Sequence, residues 1–303
     1  MQPLFLKPGD HVGIVAPAGK FKRESLDKGT EVVSSWGLNV KLGKNILSHS
    51  HSYLSGSDDE RLSDLQSMLD DTSLSAIFCA RGGYGTTRII DQLDFSSFLQ
   101  YPKWIVGFSD ITALHLKLHQ LGIESIHGSM PLHYFKPEHA ESTMRLKNLL
   151  FGKSEHILSG KQTANRFGNA QGELIGGNLS LLADALGTNT SPETKNKILI
   201  IEEIGEYKYK IDRMLMQLKR AGKLDSLAGL VIGYMTDIKN ADPGFKESIE
   251  DIVMDKVKEY VYPVAFNFPI GHDAPNVPWI SGADAHLAVN ESGSRLEFVT
   301  NFL

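Results

Sequence analysis

The chain has 303 residues, a formal net charge of −5, 41% hydrophobic residues and 22% charged residues. That length and composition fit one large α/β domain or two medium ones with a substantial buried core. Basic residues are interleaved with acids rather than clustered, which argues against nucleic acid or an anionic membrane surface as the main partner.

Cys79 is the single cysteine, so no intrachain disulfide can form. The first residues lack a basic segment followed by a long apolar one, and no run of about 18 apolar residues occurs. A cytoplasmic location is the expectation.

In chain order, "HVGIVAPAG" predicts a short strand closed by a Pro/Gly turn. "FKRESLDKGTEVVSSWG" predicts a helix ending at Gly37, and "LNVKLG" the next strand. In "SDDERLSDLQSMLDD", Ser57 and Glu60 have capping-box spacing, and Leu62, Leu65 and Leu69 share a helical face. "LSAIFCARGG" reads as a buried strand entering a glycine loop, and "YGTTRIIDQL" as helical. "KWIVGFSD" is another strand, and "ITALHLKLHQLG" a helix ending at Gly122. This βαβ rhythm predicts a mostly parallel, doubly wound sheet. Ligands of such sheets bind at the carboxyl ends of strands, where "RGGYG" and "GFSD" fall.

After Phe151, "GKSEHILSGKQTANRFGNAQG" is polar and glycine-rich, and is expected to be a linker or crossover. "GELIGGNLSLLADALG", "NKILIIEEIGE" and "YKIDRMLMQLKRAGKL" then predict strand, helix, strand and helix. "LAGLVIGYM" reads as a strand, "FKESIEDIVMDKVKEY" as a helix, and "AHLAVNESGSRLEFVT" as a hairpin around Glu291-Ser292-Gly293. The expected organisation is an N-terminal α/β domain over residues 1–150, a linker over 151–168 and a second domain over 169–303, with a cleft between the two.

Serine hydrolysis needs a hydroxyl, a base, a group orienting that base, and donors for the oxyanion. Ser109 follows an apolar strand and precedes a helix. The backbone N–H of Asp110 would then carry the positive end of the helix. The loop Arg81 to Gly85 could supply a second N–H, since glycine lets backbone approach a ligand closely. The G-x-S-x-G elbow is absent, because Ile111 stands two residues after Ser109. A helix cap at Ser109 or Asp110 is the competing reading.

Among 11 histidines, His115 and His119 have metal-pair spacing but lack the glutamate of H-E-x-x-H. His49 and His51 lie in a polar loop. His272, in "FPIGHDAPNVPW", sits in a loop stiffened by prolines, where a functional histidine can be held. Glu202 and Glu203 end an apolar strand, either at a site or at a hydrated rim. Cys79 lies in an apolar run and reads as a packed thiol. Neither G-x-G-x-x-G nor G-x-x-x-x-G-K-[ST] occurs, so no nucleotide cofactor is indicated.

"RGGYGTTRIIDQLDF", "WIVGFSDITALH", "GELIGGNLSLLADALGT", "ILIIEEIGEYKYKIDRMLMQL" and "IGHDAPNVPWISGADAHL" occur in this order, covering roughly residues 10–290 with their flanks. Together they closely resemble the LD-carboxypeptidase family, the muramoyl-tetrapeptide carboxypeptidases. The resemblance implies a serine peptidase with Ser109 as nucleophile, Glu202 rather than Glu203 as the acid, and His272 as the base. It implies oxyanion donors at the backbone N–H groups of Asp110 and of the "RGG" turn at Gly83. It implies a Rossmann-like N-terminal domain bearing the serine, a smaller C-terminal α/β domain bearing Glu and His, and a site between them. It also implies a homodimer needing no metal or cofactor. The implied substrate is a murein tetrapeptide, cut between the L-centre of its third residue and terminal D-alanine, during cytoplasmic cell-wall recycling.

Arg81 is a candidate partner for the substrate carboxylate, with a structural salt bridge as its alternative. Two other readings compete. One is a related immunity-type hydrolase of peptide-nucleotide antibiotics. The other is a non-catalytic α/β binding module.

Overall fold

The computed structural model describes residues 1–153 and 156–298. The described chain forms two compact units, residues 1–153 with Val277–Ile280, and residues 156–276 with 281–298.

The first unit begins with β1 (His11–Val15), α1 (Arg23–Ser35), β2 (Asn39–Leu42), α2 (Asp58–Asp70) and β3 (Leu74–Cys79). It continues with α3 (Ser96–Gln100), β4 (Trp104–Gly107), α4 (Thr112–Gln120), β5 (Ser125–His127) and α5 (Ala140–Leu150). The second unit holds β6 (His156–Ser159), β7 (Gly168–Asn178), α6 (Leu179–Asp184), β8 (Ile198–Ile204), α7 (Lys208–Arg220), β9 (Gly229–Thr236), α8 (Ile249–Val257) and β10 (Val264–Ala265). After it come β11 (Trp279–Ser281), β12 (Asp284–Asn290) and β13 (Gly293–Phe298).

Among the described residues the first sheet has the order β11-β5-β4-β3-β1-β2. β1 runs parallel to β2 and β3, β3 to β4, and β4 to β5. From β1 the chain winds first to one side, to β2, then returns to the other, to β3. A topological switch point therefore lies between β1 and β3. β3 and β4 are apolar and buried on both faces, as helix-covered parallel strands require.

Local signals place the helices. Ser57 Oγ accepts the N–H of Glu60, and Glu60 Oε2 accepts the N–H of Ser57, closing the capping box of α2. The other end of α2 is satisfied by Lys103, 1% exposed, whose Nζ donates to the carbonyls of Met68, Leu69 and Asp71.

The second sheet has the order β10-β9-β8-β7-β12-β13-β6 among the described residues. Its long strand β7 joins two pairing modes. Gly168 to Glu173 pair antiparallel with β12, and Leu174 to Asn178 pair parallel with β8. β12 and β13 form the expected hairpin, Asn290 facing Gly293.

Three expectations are corrected. The stretch read as a linker contains β6, which pairs antiparallel with β13. Only Ile157 among its apolar residues points inward, while Leu158 is exposed, so the strand left no readable period. The stretch "YGTTRIIDQL" forms two 3₁₀ turns, Thr86–Arg88 and Ile90–Gln92, rather than an α-helix. Residues Val277–Ile280, assigned from sequence to the second domain, belong to the first unit. There Trp279 is fully buried and stacks on His127 at 5.1 Å between ring centroids.

Candidate active site

In the first unit, β4 ends at Gly107, Phe108 is extended, and Ser109 turns into the left-handed region at φ 64°. A non-glycine residue there costs about 1–2 kcal/mol. A 3₁₀ turn, Ser109–Ile111, then leads into α4. Neither helical start carries a side-chain cap, so the cap reading of Asp110 is corrected. The Asp110 carboxylate instead accepts the Thr86 N–H at 2.9 Å and is 1% exposed. Burial raises its pKa, against the donors of Thr86 and Gly85 and the charge of Arg61. Arg61 is itself buried, and its Nη1 donates to the carbonyls of Gly85 and Pro17. The Ser109 turn and the glycine loop are thus tied together by a buried polar bridge.

Gly82 provides close contact. A Cβ there would lie 3.0 Å from Ser109 Cβ and 3.2 Å from Ser109 Oγ. The Gly82 carbonyl accepts the N–H of Gly19 at 3.0 Å, which fixes the plane of the Gly82–Gly83 peptide. Half-buried Arg81 donates from Nη1 to the Lys20 carbonyl.

In the second unit, Glu202 lies on β8 opposite Asn178 of β7, and the ladder to β9 slips between Ile201 and Glu203. Such irregularities re-aim side chains. Glu202 is 0% exposed, and its Oε2 stands 2.7 Å from His272 Nδ1. An ionised carboxylate only accepts, so Nδ1–H is the donor and Nε2 is the nitrogen left to act as base. Burial alone would lower the His272 pKa. The Glu202 charge and hydrogen bond, with Glu203 and Asp273 behind them, outweigh burial and hold it above the usual histidine value.

The loop around His272 is fixed on both sides. Gly271 has φ 127° and no room for a side chain, since a Cβ would lie 3.0 Å from Glu202 Oε2. Its N–H donates to Asn276 Oδ1 at 3.1 Å, and Thr236 Oγ1 donates to Asp273 Oδ2 at 3.0 Å.

Glu203 points elsewhere. It accepts from Asn178 Nδ2, the Ser180 N–H and Oγ–H, and the Ile204 N–H, joining β8 to the start of α6. Burial raises its pKa despite those donors.

His115 is not half of a metal pair. It is fully buried, with Nδ1 2.8 Å from Ser125 Oγ and Nε2 2.9 Å from the Gly107 carbonyl, and burial pushes it down to about 4. It braces the end of β4. Among the described residues no cluster of three or more His, Cys, Asp or Glu side chains is placed to hold a metal ion. Cys79 is buried and its thiol pKa is raised by desolvation.

Comparison with known proteins gives this geometry a family. Residues 12–128 match the model of the LD-carboxypeptidase N-terminal domain, and residues 171–287 that of the LD-carboxypeptidase C-terminal domain. The chain belongs to the LD-carboxypeptidase family. It is accordingly a serine-type peptidase, an enzyme.

A probable murein peptide carboxypeptidase of Bacillus subtilis (strain 168) is 38% identical, over 98% of this chain and 94% of its own length. A murein tetrapeptide carboxypeptidase of Pseudomonas aeruginosa is 29% identical, over 92% and 93%. The crystal structure of muramoyltetrapeptide carboxypeptidase from Oxalobacter formigenes is similar with a TM-score of 0.87 at 26% identity, over 97% of this chain and all 100% of that one.

Within this LD-carboxypeptidase, Arg81, Gly83, Ser109 and Asp110 lie in the first unit, and Glu202 and His272 in the second. Sequence reading missed Gly82, Thr86 and Asn276. Gly82 was visible only as one of two adjacent glycines. Thr86 and Asn276 act through contacts, at Asp110 and Gly271, that no local pattern announces.

Proposed function

We propose that this enzyme releases terminal D-alanine from murein tetrapeptides by cleaving the bond after the L-centre of the third residue. Ser109 is the nucleophile, His272 the general base and acid, and Glu202 the orienting carboxylate. The observation that carries the reading is the 2.7 Å contact between His272 Nδ1 and the fully buried Glu202. It selects the tautomer with Nε2 available and stabilises the imidazolium formed during attack.

In the proposed reaction His272 Nε2 takes the Ser109 proton as Oγ adds to the scissile carbonyl. The oxyanion accepts hydrogen bonds from the N–H groups of Asp110 and Gly83. The anchored Gly82 carbonyl supports this, because in a trans peptide the Gly83 N–H points the opposite way and is held there. D-alanine then leaves, protonated by His272, and water hydrolyses the acyl-enzyme in a second pass of the same groups. Losing one oxyanion donor should cost about 3–4 kcal/mol. Arg81 is proposed to act on the substrate carboxylate side. A place in cytoplasmic murein recycling and a homodimeric assembly belong to the same proposal and rest on the family resemblance.

The test is D-alanine release from a purified murein tetrapeptide, with Ser109→Ala as control. Release should fall by roughly 10⁴–10⁶ in the variant. Cleavage of an aminoacyl-sulfamoyl adenylate with no D-alanine release would sink the murein reading in favour of an immunity-type hydrolase.

A further inference from the structure

The glycine loop borders a cavity that the chemical steps above do not use. It lies beyond the carboxyl ends of β1 and β3, at the point where the order of the first sheet reverses. In open α/β sheets that crevice takes the ligand. Lys20, Lys22, Ser25, Tyr53, Arg81 and Leu132 are among the residues lining a volume of about 550 Å³ there. A second cavity of about 580 Å³ shares Lys20 and Lys22.

The segment that carries the lysines is fixed. The Lys20 N–H donates to the Tyr53 carbonyl at 2.9 Å, and the Lys20 carbonyl accepts from Arg81. The charges it presents are not paired off in salt bridges among the described residues, although Glu24 feels the Lys22 charge. Neighbouring Arg23 and Lys28 pair with Asp27 and Glu24. Among the described residues neither the Lys20 nor the Lys22 ammonium has an ion-pair partner. Arg81 is followed by Gly82, the residue packed against Ser109. Two lysines without an ion-pair partner, Lys22 only weakly felt by Glu24, therefore line a cavity one residue from the nucleophile turn.

We propose that this cavity is the subsite for a carboxylate of the peptide substrate, with Lys20 and Lys22 as its specificity-determining cations and Arg81 holding the Lys20 segment in register. The inference rests on the murein-peptide reading of the same site. A murein tetrapeptide carries a carboxylate on its terminal D-alanine and others along its acidic residues. Charge-assisted hydrogen bonds from ammonium groups would select such a peptide over a neutral one.

The experiment measures kcat and KM for D-alanine release by the wild type, by Lys20→Met/Lys22→Met and by Lys20→Arg/Lys22→Arg, with melting curves as a folding control. In the Met variant KM should rise by about tenfold or more, with the smaller change in kcat. The Arg variant should stay near wild type. The wild-type KM should climb with added salt and the Met variant's should not.

Two modified substrates identify the carboxylate, one amidated at the terminal D-alanine and one at the internal carboxylates. The relevant modification should cost the wild type as much as the double substitution does, and cost the Met variant nothing further. An unchanged KM in the Met variant would overturn this inference alone, provided the wild type still releases D-alanine. So would equal loss in the Arg variant, or two amidations that both fail to couple. A wild type that releases no D-alanine would overturn the proposed function and this inference with it.

Discussion

Replacing Glu202 by glutamine changes one atom and removes one charge, and its consequences separate from those of the same change next door. At Glu202 the lost charge is the main factor holding the His272 pKa up against burial. In the free wild-type enzyme His272 must be neutral to act as base, so kcat/KM should fall as pH drops through a pKa above 6.5. In Glu202→Gln burial prevails, and that acid limb should move to lower pH. The plateau should also fall by about 10³–10⁴, the scale of losing a triad carboxylate while keeping its shape. Stability should follow the raised pKa. The His272–Glu202 pair stabilises fully below the unfolded histidine pKa and loses its contribution as pH rises through the folded one. The melting deficit of Glu202→Gln should therefore be larger near about pH 5.5 than near about pH 8.5.

Glu203→Gln should behave differently. Its two oxygens face backbone N–H donors on opposite sides, Ile204 on one and Ser180 on the other. Whichever way the amide turns, its NH₂ meets a backbone N–H that then has no acceptor. That costs about 1–3 kcal/mol, a loss of several degrees in Tm. The acid limb should move down less than in Glu202→Gln, because Glu203 holds the His272 pKa up by its charge alone and ranks behind Glu202. The assay is D-alanine release across pH, with thermal melts of both variants. If Glu203→Gln moved the acid limb and Glu202→Gln did not, the assignment of the acid would be wrong.

Ser109→Gly and Ser109→Ala should both be inactive, but the glycine variant should melt at or above the alanine variant, because only glycine is at ease at φ 64°. Scanning calorimetry of the pair checks this. Gly82→Ala should keep its fold yet lose at least about tenfold in kcat/KM, since the new methyl reaches Ser109 Cβ and Oγ at 3.0 and 3.2 Å. Asp110→Ala strands the buried Thr86 N–H and should cost about 1–3 kcal/mol in urea unfolding, with a fall in kcat as the glycine loop loosens. Lys103→Met removes the donor shared by three carbonyls at the end of α2 and should cost about 2–4 kcal/mol in the same measurement.

What was legible in the chain was whatever repeats locally. Short apolar runs such as "SAIFC" and "WIVG", bounded by turn residues, read as buried strands, and Ser57 with Glu60 announces a capping box within four residues. The placement of "GFSD" at the end of β4 followed from the same rhythm. The left-handed backbone at Ser109 did not, because such positions are read from glycine or asparagine and here a serine occupies one. The choice between Glu202 and Glu203 could not come from periodicity alone, since adjacent residues of a strand face opposite sides and both of these are buried. The contact that distinguishes them spans 70 residues of sequence. No local pattern singles out Lys20 and Lys22. Only the strand order, with β1 beside β3, brings them to the glycine loop.

Within each unit the candidate side chains are held by the same kind of construction. Ser109 follows buried β4 at a left-handed position that the backbone resists adopting without help, and His272 follows Gly271, itself at φ 127°. At Ser109 the help is threefold. Gly82 leaves room, the Asp110–Thr86 bond joins turn to loop, and His115 holds the Gly107 carbonyl from beneath. Phe108, just before the serine, is wedged against the rings of His127 and His133 at 5.8 and 5.6 Å. At His272 the help is Gly271, whose missing side chain admits Glu202, together with the Asn276 and Thr236 hydrogen bonds. Strained or irregular backbone persists only where its surroundings over-determine it. The braces are buried polar groups in close-packed surroundings, where a small shift is transmitted rather than absorbed. Precision at Ser109 and His272 is therefore a property of Gly82, Asp110, His115, Gly271 and Asn276 as much as of the two side chains proposed to carry the chemistry.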